Sequence, residues 1–479
     1  MREHLLPTTA TTLDRAAVRG WLAVAVGSLL LAGLFAVLLV VGRMPGLAAL
    51  FDDPQLFRRC LVVHVVLSLV VWFYAFLAAL FLTVPCAQPS RRAGPASVLG
   101  GLGLLLLMAA AGLPAGQPLL SNYVPVIDHG LFLAGLIVLA LGLVATFLDA
   151  RLLPSAETAS GFFPAPPAAR VGLRAAAMAF LLAIITFTGS VASTPAGLAA
   201  AGYYELVFWG GGHVLQFAST AGMVSVWIMM LTAALGRAPL ERAPAAVLFG
   251  LLVAPLLGAP LLAARGTLTP EYHRGFTLLM QWGVFPVVTV FILLCLRAVV
   301  RADRDGSLPP GGWRDPRLVV VGASAAMTLL GFVLGAMIRG ANTMIPAHYH
   351  ASIGAVTTVY MAAAYPLFAA VGSPLPTAAW RRLARWQPVL YAAGQSVFAI
   401  GFGLAGAHGM LRKTYGAEQQ IRSLAAEIGM LVMGLGGAVA VASGLLFLAI
   451  VIACWRGRAP QWGVQKGKVA WQTNIRFSA

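Results

Sequence analysis

Charge is what this sequence has least of. Only 10% of its 479 residues are Asp, Glu, Lys or Arg, and the acids are the scarcer sign, 15 against 32 bases. A soluble globular surface needs roughly a quarter of the chain charged, so this composition excludes one. Cysteine is nearly absent too. Cys60, Cys86, Cys295 and Cys454 stand alone, with no CxxC and no paired spacing. That excludes a disulfide framework, a zinc site and a covalent haem attachment, and the lack of CxxCH excludes a fused cytochrome c domain. The net charge of +17 is spread among connectors and gathers into no stripe, so nucleic acid is not an expected partner. The polar stretch Met1–Arg19 runs into a long apolar segment without a small-residue cleavage site, so no cleavable signal peptide is expected.

What the chain has instead is apolar length. Hydrophobic residues make up 60% of it, with a mean hydropathy of +0.87. Runs of about 20 apolar residues, enough to cross a bilayer, predict twelve membrane helices over 21–41, 61–84, 96–114, 126–149, 171–191, 203–235, 244–264, 275–300, 318–338, 347–370, 388–409 and 428–455. The connectors, such as CAQPSRRAGP and RADRDGSLPPGGWRDPR, hold the Pro, Gly and charge and are too short for a second domain. The expectation is one all-α membrane domain over residues 1–479. If both termini share a side, that side holds 23 of the 32 Lys and Arg. The bias puts both termini in the cytoplasm of a bacterial-type plasma membrane.

Histidine is the informative polar residue. His348 and His350, in AHYHASIGAVTTVYMAAAYPLF, are spaced i and i+2. Each helical residue advances about 100°, so the two imidazoles point to opposite sides of one helix. They cannot chelate one metal between them, but each can ligate a separate haem iron with the helix as the wall between. The alternative is a hydrogen-bonded polar cluster at a helix end. His64 and His213 fall in two other helices that begin on the same, outer side, so four histidines share one layer. Each costs insertion energy, and a shared cofactor layer explains the clustering.

With these residues in view, the chain resembles subunit I of the haem–copper oxidase superfamily, the cytochrome c oxidases, quinol oxidases and nitric oxide reductases, over nearly its whole length. IPAHYHASIGAVTTVYMA is similar to the family's helix-10 motif, and WQPVLYAAGQSVFAIGFGLAGAHGMLRKTYG to its helix 11 and exit. The resemblance implies a twelve-helix bundle carrying two haems. His348 is the implied high-spin ligand, while His64 and His350 clamp the low-spin haem. ELVFWGGGHVLQF is similar to the helix-6 segment that supplies a ligand to copper or non-haem iron, which gives that role to His213. Here the chain departs from the family. Phe217 stands where oxidases have Tyr and reductases Glu, and the adjacent histidine pair of helix 7 falls on Leu262 and Ala263. His273 is the one imidazole nearby and is expected in a connector. A single imidazole is a poor copper site, so the second metal centre is either atypical or absent. Glu205 and Gln216 are the replacement ligands on offer, neither well placed.

Among the other polar residues, Glu205 is either a proton-relay acid with a catalytic part or a carboxylate stabilised by a helix N-terminus. Arg339 is either a haem-propionate partner or a flanking anchor. Asp128 and His129 are expected to pair in a loop, and His4 and His408 to be solvated. The scarcity of buried acids gives no proton path to the inner side. Three readings follow: a respiratory subunit passing electrons from low-spin to high-spin haem and reducing O2 or NO; a dihaem electron-transfer or gas-sensing protein without the second metal; and a haem-free transporter. The first two imply a cytochrome c or quinol donor, room for an accessory membrane subunit, and a lipid bilayer around the helices.

Overall fold

A hydropathy run marks where lipid is, whereas a helix continues until its backbone is capped, so the helices outrun the apolar segments that announce them. The computed structural model describes residues 9–44, 47, 54–158, 161–414, 419, 421 and 423–457; the expectation for His4 lies outside them. Among the described residues, twelve helices are long and apolar enough to cross a membrane. They are α1 (Thr12–Val41), α2 (Gln55–Phe81), α3 (Ala93–Gly112), α4 (Gly130–Phe147), α5 (Pro167–Ser193) and α6 (Ala200–Leu235). The second half gives α7 (Arg242–Ala264), α8 (Pro270–Arg304), α9 (Pro316–Ala336), α10 (Met344–Ala370), α11 (Ala378–Ala407) and α12 (Leu424–Arg456). At the starts of α8 and α11, which precede the apolar pattern, polar caps are the reason. Thr269 accepts from Tyr272 N at 3.3 Å with Pro270 at the first helical position, and Thr377 accepts from Trp380 N at 3.4 Å. α4 is an exception and stops at Phe147, short of the expected 149, because Asp149 caps the short turn that follows.

Burial orders the bundle. The apolar windows of α6 and α10 are 89% and 83% buried and that of α2 is 67%, against 33–50% for the other nine. The three helices carrying the predicted ligands are therefore the three innermost. Peripheral helices are held by close backbone approach instead of large side chains. On α11, a Cβ at Gly394 would lie 2.5 Å from Ala440 N of α12, a contact only glycine permits.

Three helices are locally unwound: α8 carries a π-turn over Met280–Val284, and in α2 and α7 the sequence gives the reason. In α2, residues Val66–Val71 form a π-turn starting two residues after His64, and Ser68 Oγ donates to the His64 carbonyl at 2.7 Å. In α7, Pro255 lies within a 3-10 stretch over Ala254–Gly258 and Pro260 just beyond it, since proline removes a donor and collides with the preceding turn.

The two ends of the bundle differ. At the end where α1 begins, Arg151 is 1% exposed and bridges Asp14 and Asp149, the latter at 2.8 Å, while donating to Val84 O at 3.0 Å. Glu157 accepts from Arg170 at 2.7 Å and Arg174 at 2.6 Å. Burial pushes the Glu157 carboxyl up, but the two guanidiniums outweigh it and hold it below the usual range. At the opposite end, where α2, α6 and α10 begin, a two-stranded hairpin of β1 (Pro118–Leu119) and β2 (Val126–Ile127) folds over the bundle. Arg59 reaches up from α2 to the carbonyls of Leu113, Pro114 and Ala115, at 2.8, 2.9 and 3.3 Å, and of Gly116, capping α3 and seating this hairpin.

Candidate functional site

The predicted ligands are presented from this hairpin-covered end, and the rings of His64, His348 and His213 are each oriented by a backbone carbonyl. His64 Nδ1 lies 2.9 Å from Ala32 O of α1, and His348 Nδ1 lies 2.6 Å from Gly331 O of α9. A carbonyl only accepts, so Nδ1 carries the hydrogen and Nε2 keeps its lone pair. This is how a protein orients an imidazole toward a metal. The donor chemistry of His64 and His348 therefore fits haem iron. His350 contacts different helices from His348, as two residues of separation require. Its ring packs edge-on against Phe398 of α11 at 4.6 Å, and His64 and Arg43 lie within electrostatic reach of it. Arg43 stacks over Phe57 and Phe402 at 5.7 and 5.6 Å.

His213 is built differently. It is 4% exposed, and its Nδ1 donates to Trp209 O at 2.7 Å. Its Nε2 faces the Tyr123 hydroxyl at 2.9 Å, so both nitrogens are engaged. Tyr123 comes from the tip of the hairpin. The rest of the expected second-metal site is apolar: Phe217 is fully buried against Gly283 of α8, and Ala263 is fully buried with its carbonyl accepting from Ser193 Oγ at 2.7 Å. Among the described residues, no three His, Cys, Asp or Glu gather as a metal site. The residues present do not fit copper or non-haem iron.

The structure places the remaining candidate residues, and for His273 and the Asp128–His129 pair it corrects the expectation. His273 sits in the first turns of α8, not in a connector, because the Thr269–Pro270 cap starts that helix early; its ring packs 5.3 Å from Trp209, whose own centroid is 4.7 Å from His213. Glu205 is committed to the hairpin: it accepts from Asn122 N at 2.8 Å and from Asn122 Nδ2. Arg339 is exposed and turns back onto the end of α9, donating to Ala336 O at 2.8 Å and Ile338 O at 3.1 Å, the anchor alternative. Asp128 and His129 do not serve each other. Asp128 accepts from Tyr204 at 3.0 Å, and His129 caps α4 through Leu131 N at 3.2 Å.

The sequence reading missed the cations that surround this end. Arg412 donates to Asn122 Oδ1 at 3.1 Å and Lys413 to Leu120 O, tying the α11–α12 connector to the hairpin. Burial, with Arg412 alongside, pulls Lys413 down to about 8 against the opposing pull of Glu205. Burial and Glu205 push the Tyr123 phenol up, which keeps it a hydrogen-bond donor. The signals were the Arg412-Lys413 dipeptide after a helix and the run Gly210–Gly212. A Cβ at Gly212 would stand 2.5 Å from Tyr123 Cγ, so the glycine makes room for that ring.

The bundle is a haem–copper oxidase subunit I-like fold. It matches a solved haem–copper terminal oxidase dimer with a TM-score of 0.69 at 14% identity, over 95% of this chain and 85% of that one. The chain belongs to the family of an uncharacterized protein of Aquifex aeolicus, to which it is 30% identical over 342 residues, spanning 70% of this chain and 80% of that protein. It is also 22% identical over 507 residues to the uncharacterized protein RP382 of Rickettsia prowazekii, covering 92% and 96% of the two chains. No family model matches the sequence.

Proposed function

We propose that this chain is a haem-binding oxidoreductase subunit of a bacterial-type plasma membrane, passing electrons from a low-spin to a high-spin haem at which O2 or NO is reduced. The observation that carries the reading is the pair of Nδ1–H bonds from His64 and His348 to backbone carbonyls of neighbouring helices, which leave Nε2 of each ring for a metal. Six-coordinate bis-imidazole iron suits electron transfer, and five-coordinate iron keeps one face for a diatomic. His64 and His350 would hold the first haem and His348 the second. Arg43, within electrostatic reach of His350, would offer a guanidinium to carboxylates of such a group. Phe398 and Phe402 exclude water from the His350 ring. A donor, either a cytochrome c or a quinol, would deliver electrons, with both termini in the cytoplasm.

A second reading, a dihaem electron-transfer or gas-sensing protein, is favoured by one observation: His213 Nε2 is already taken by Tyr123. Iron, copper and haem counted per purified chain, with a reduced-minus-oxidised spectrum, test both. Two haems per chain support the proposal, and reductase turnover then separates the two readings. A chain without haem overturns both.

A further inference from the structure

His213 is the residue through which the fold's resemblance leads to a second metal, and the surroundings of its Nε2 are the most heavily constructed part of the molecule. Tyr123 reaches it with a backbone φ of +65°, a left-handed conformation that costs a tyrosine on the order of 1 kcal/mol. Such a conformation persists only where neighbours hold it, and five bonds do. Ser121 Oγ donates to Val124 O at 2.7 Å, and Val124 N to Asn122 O at 2.8 Å. Asn122 is clamped through its N and Nδ2 by Glu205, and through its Oδ1 by Arg412 at 3.1 Å. On the other side of the ring, Gly212 leaves the space that any Cβ would fill. Trp209 lies 6.2 Å from the Tyr123 ring and closes the edge of the pocket. Three elements of different sequence origin thus converge on the placement of one hydroxyl.

We propose that Tyr123 fills the position beside His213 that a second metal would take, so that His213 is a positioning residue for a phenol and not a metal ligand. This goes beyond the reading above, which leaves the second metal open, and it stands on the hairpin, α6, the α11–α12 connector and Ala263 of α7. His213 accepts from the phenol, and Trp209 O fixes the tautomer that lets it do so. The apolar replacements follow the same logic. With Ala263 and Phe217 buried where further ligands would come from, a freed His213 would still lack partners for copper. The centre is left with one metal position at most, that of His348, and a hydrogen-bond donor where a second metal would be.

The full-length chain in detergent is incubated with Cu2+ or Fe2+ and desalted, and copper and iron are counted against haem iron measured separately. The expected result is well under one copper and one non-haem iron per chain. One equivalent of either, lost in His213→Gln, overturns the proposal. The ultraviolet resonance Raman difference between the wild type and Tyr123→Phe gives a check that does not depend on metal. A band of a phenol donating to a neutral nitrogen supports the proposal; a phenol without an acceptor overturns it. Absence of haem would sink the preceding functional reading and leave both of these results to be judged on their own.

Discussion

The Nδ1 of His348 lies 2.6 Å from the carbonyl oxygen of Gly331, and a Cβ on Gly335, one turn further along α9, would stand 2.8 Å from the same nitrogen. The helix that orients the ring therefore also limits where it can go. Gly335→Ala should push the imidazole off its carbonyl, costing about 1–3 kcal/mol. The expected result is a weakened or shifted high-spin CO spectrum with low-spin bands intact. An unchanged CO spectrum in a folded variant would show that α9 does not set the His348 ring.

Ligand deletions should separate by haem and not by helix. His64→Ala and His350→Ala should each abolish the low-spin bands of the reduced spectrum, whereas His348→Ala should keep them and lose CO binding. Persistence of low-spin bands in His350→Ala would overturn the assignment of that residue.

Glu205 divides a chemical role from a structural one. Glu205→Ala leaves two half-buried Asn122 donors without their acceptor and should lower stability by about 1–3 kcal/mol, read as a lower Tm at unchanged haem content. Glu205→Gln retains one acceptor and should lose less. Turnover falling in Glu205→Gln at an unchanged Tm would mean that the carboxylate itself takes part in chemistry.

How far the sequence carried depended on whether the signal was local. The twelve helices followed from the length of the apolar runs, and the opposed histidines from the 100° step per residue that the backbone fixes. The roles of Glu205 and Tyr123 did not, since they depend on a hairpin folding over a helix some 80 residues away in the chain. Arg339 misled for a related reason: beside a ligand helix its charge suggested a cofactor partner, while the unsatisfied carbonyls ending α9 were nearer. His273 was misplaced because a cap, and not hydropathy, begins α8.

At the other end of the bundle, Glu157 gives a pH test. Its carboxyl is held below the unfolded value by Arg170 and Arg174, so its contribution is fully present above about pH 4.5 and is lost as pH falls through the folded value. Glu157→Gln should destabilise the protein at neutral pH by about 1 kcal/mol, since the half-buried pairs are partly screened and the amide keeps one acceptor for the guanidiniums. The gap from wild type should close on acidification below about pH 4.5. A gap that stays constant down to pH 3 would show that the pair is not what Glu157 contributes.

The π-turn at Val66–Val71 has a bearing on how α2 can tolerate change. A π-turn accommodates one residue more than a continuous α-helix would, so the segment behaves as an insertion absorbed in place. Above it lies His64; below it lie Trp72, Phe73 and Phe76, whose rings pack on Tyr360 of α10 at 6.4, 6.0 and 4.8 Å. The kink decouples the two halves, letting the aromatic lock keep its phase whatever direction the imidazole faces. Removing one residue from this turn would restore an even helix and swing His64 by about 100° relative to the aromatics. The spare residue thus works as an angular spacer, and the aim of the imidazole is encoded in the length of α2 as much as in the identity of position 64.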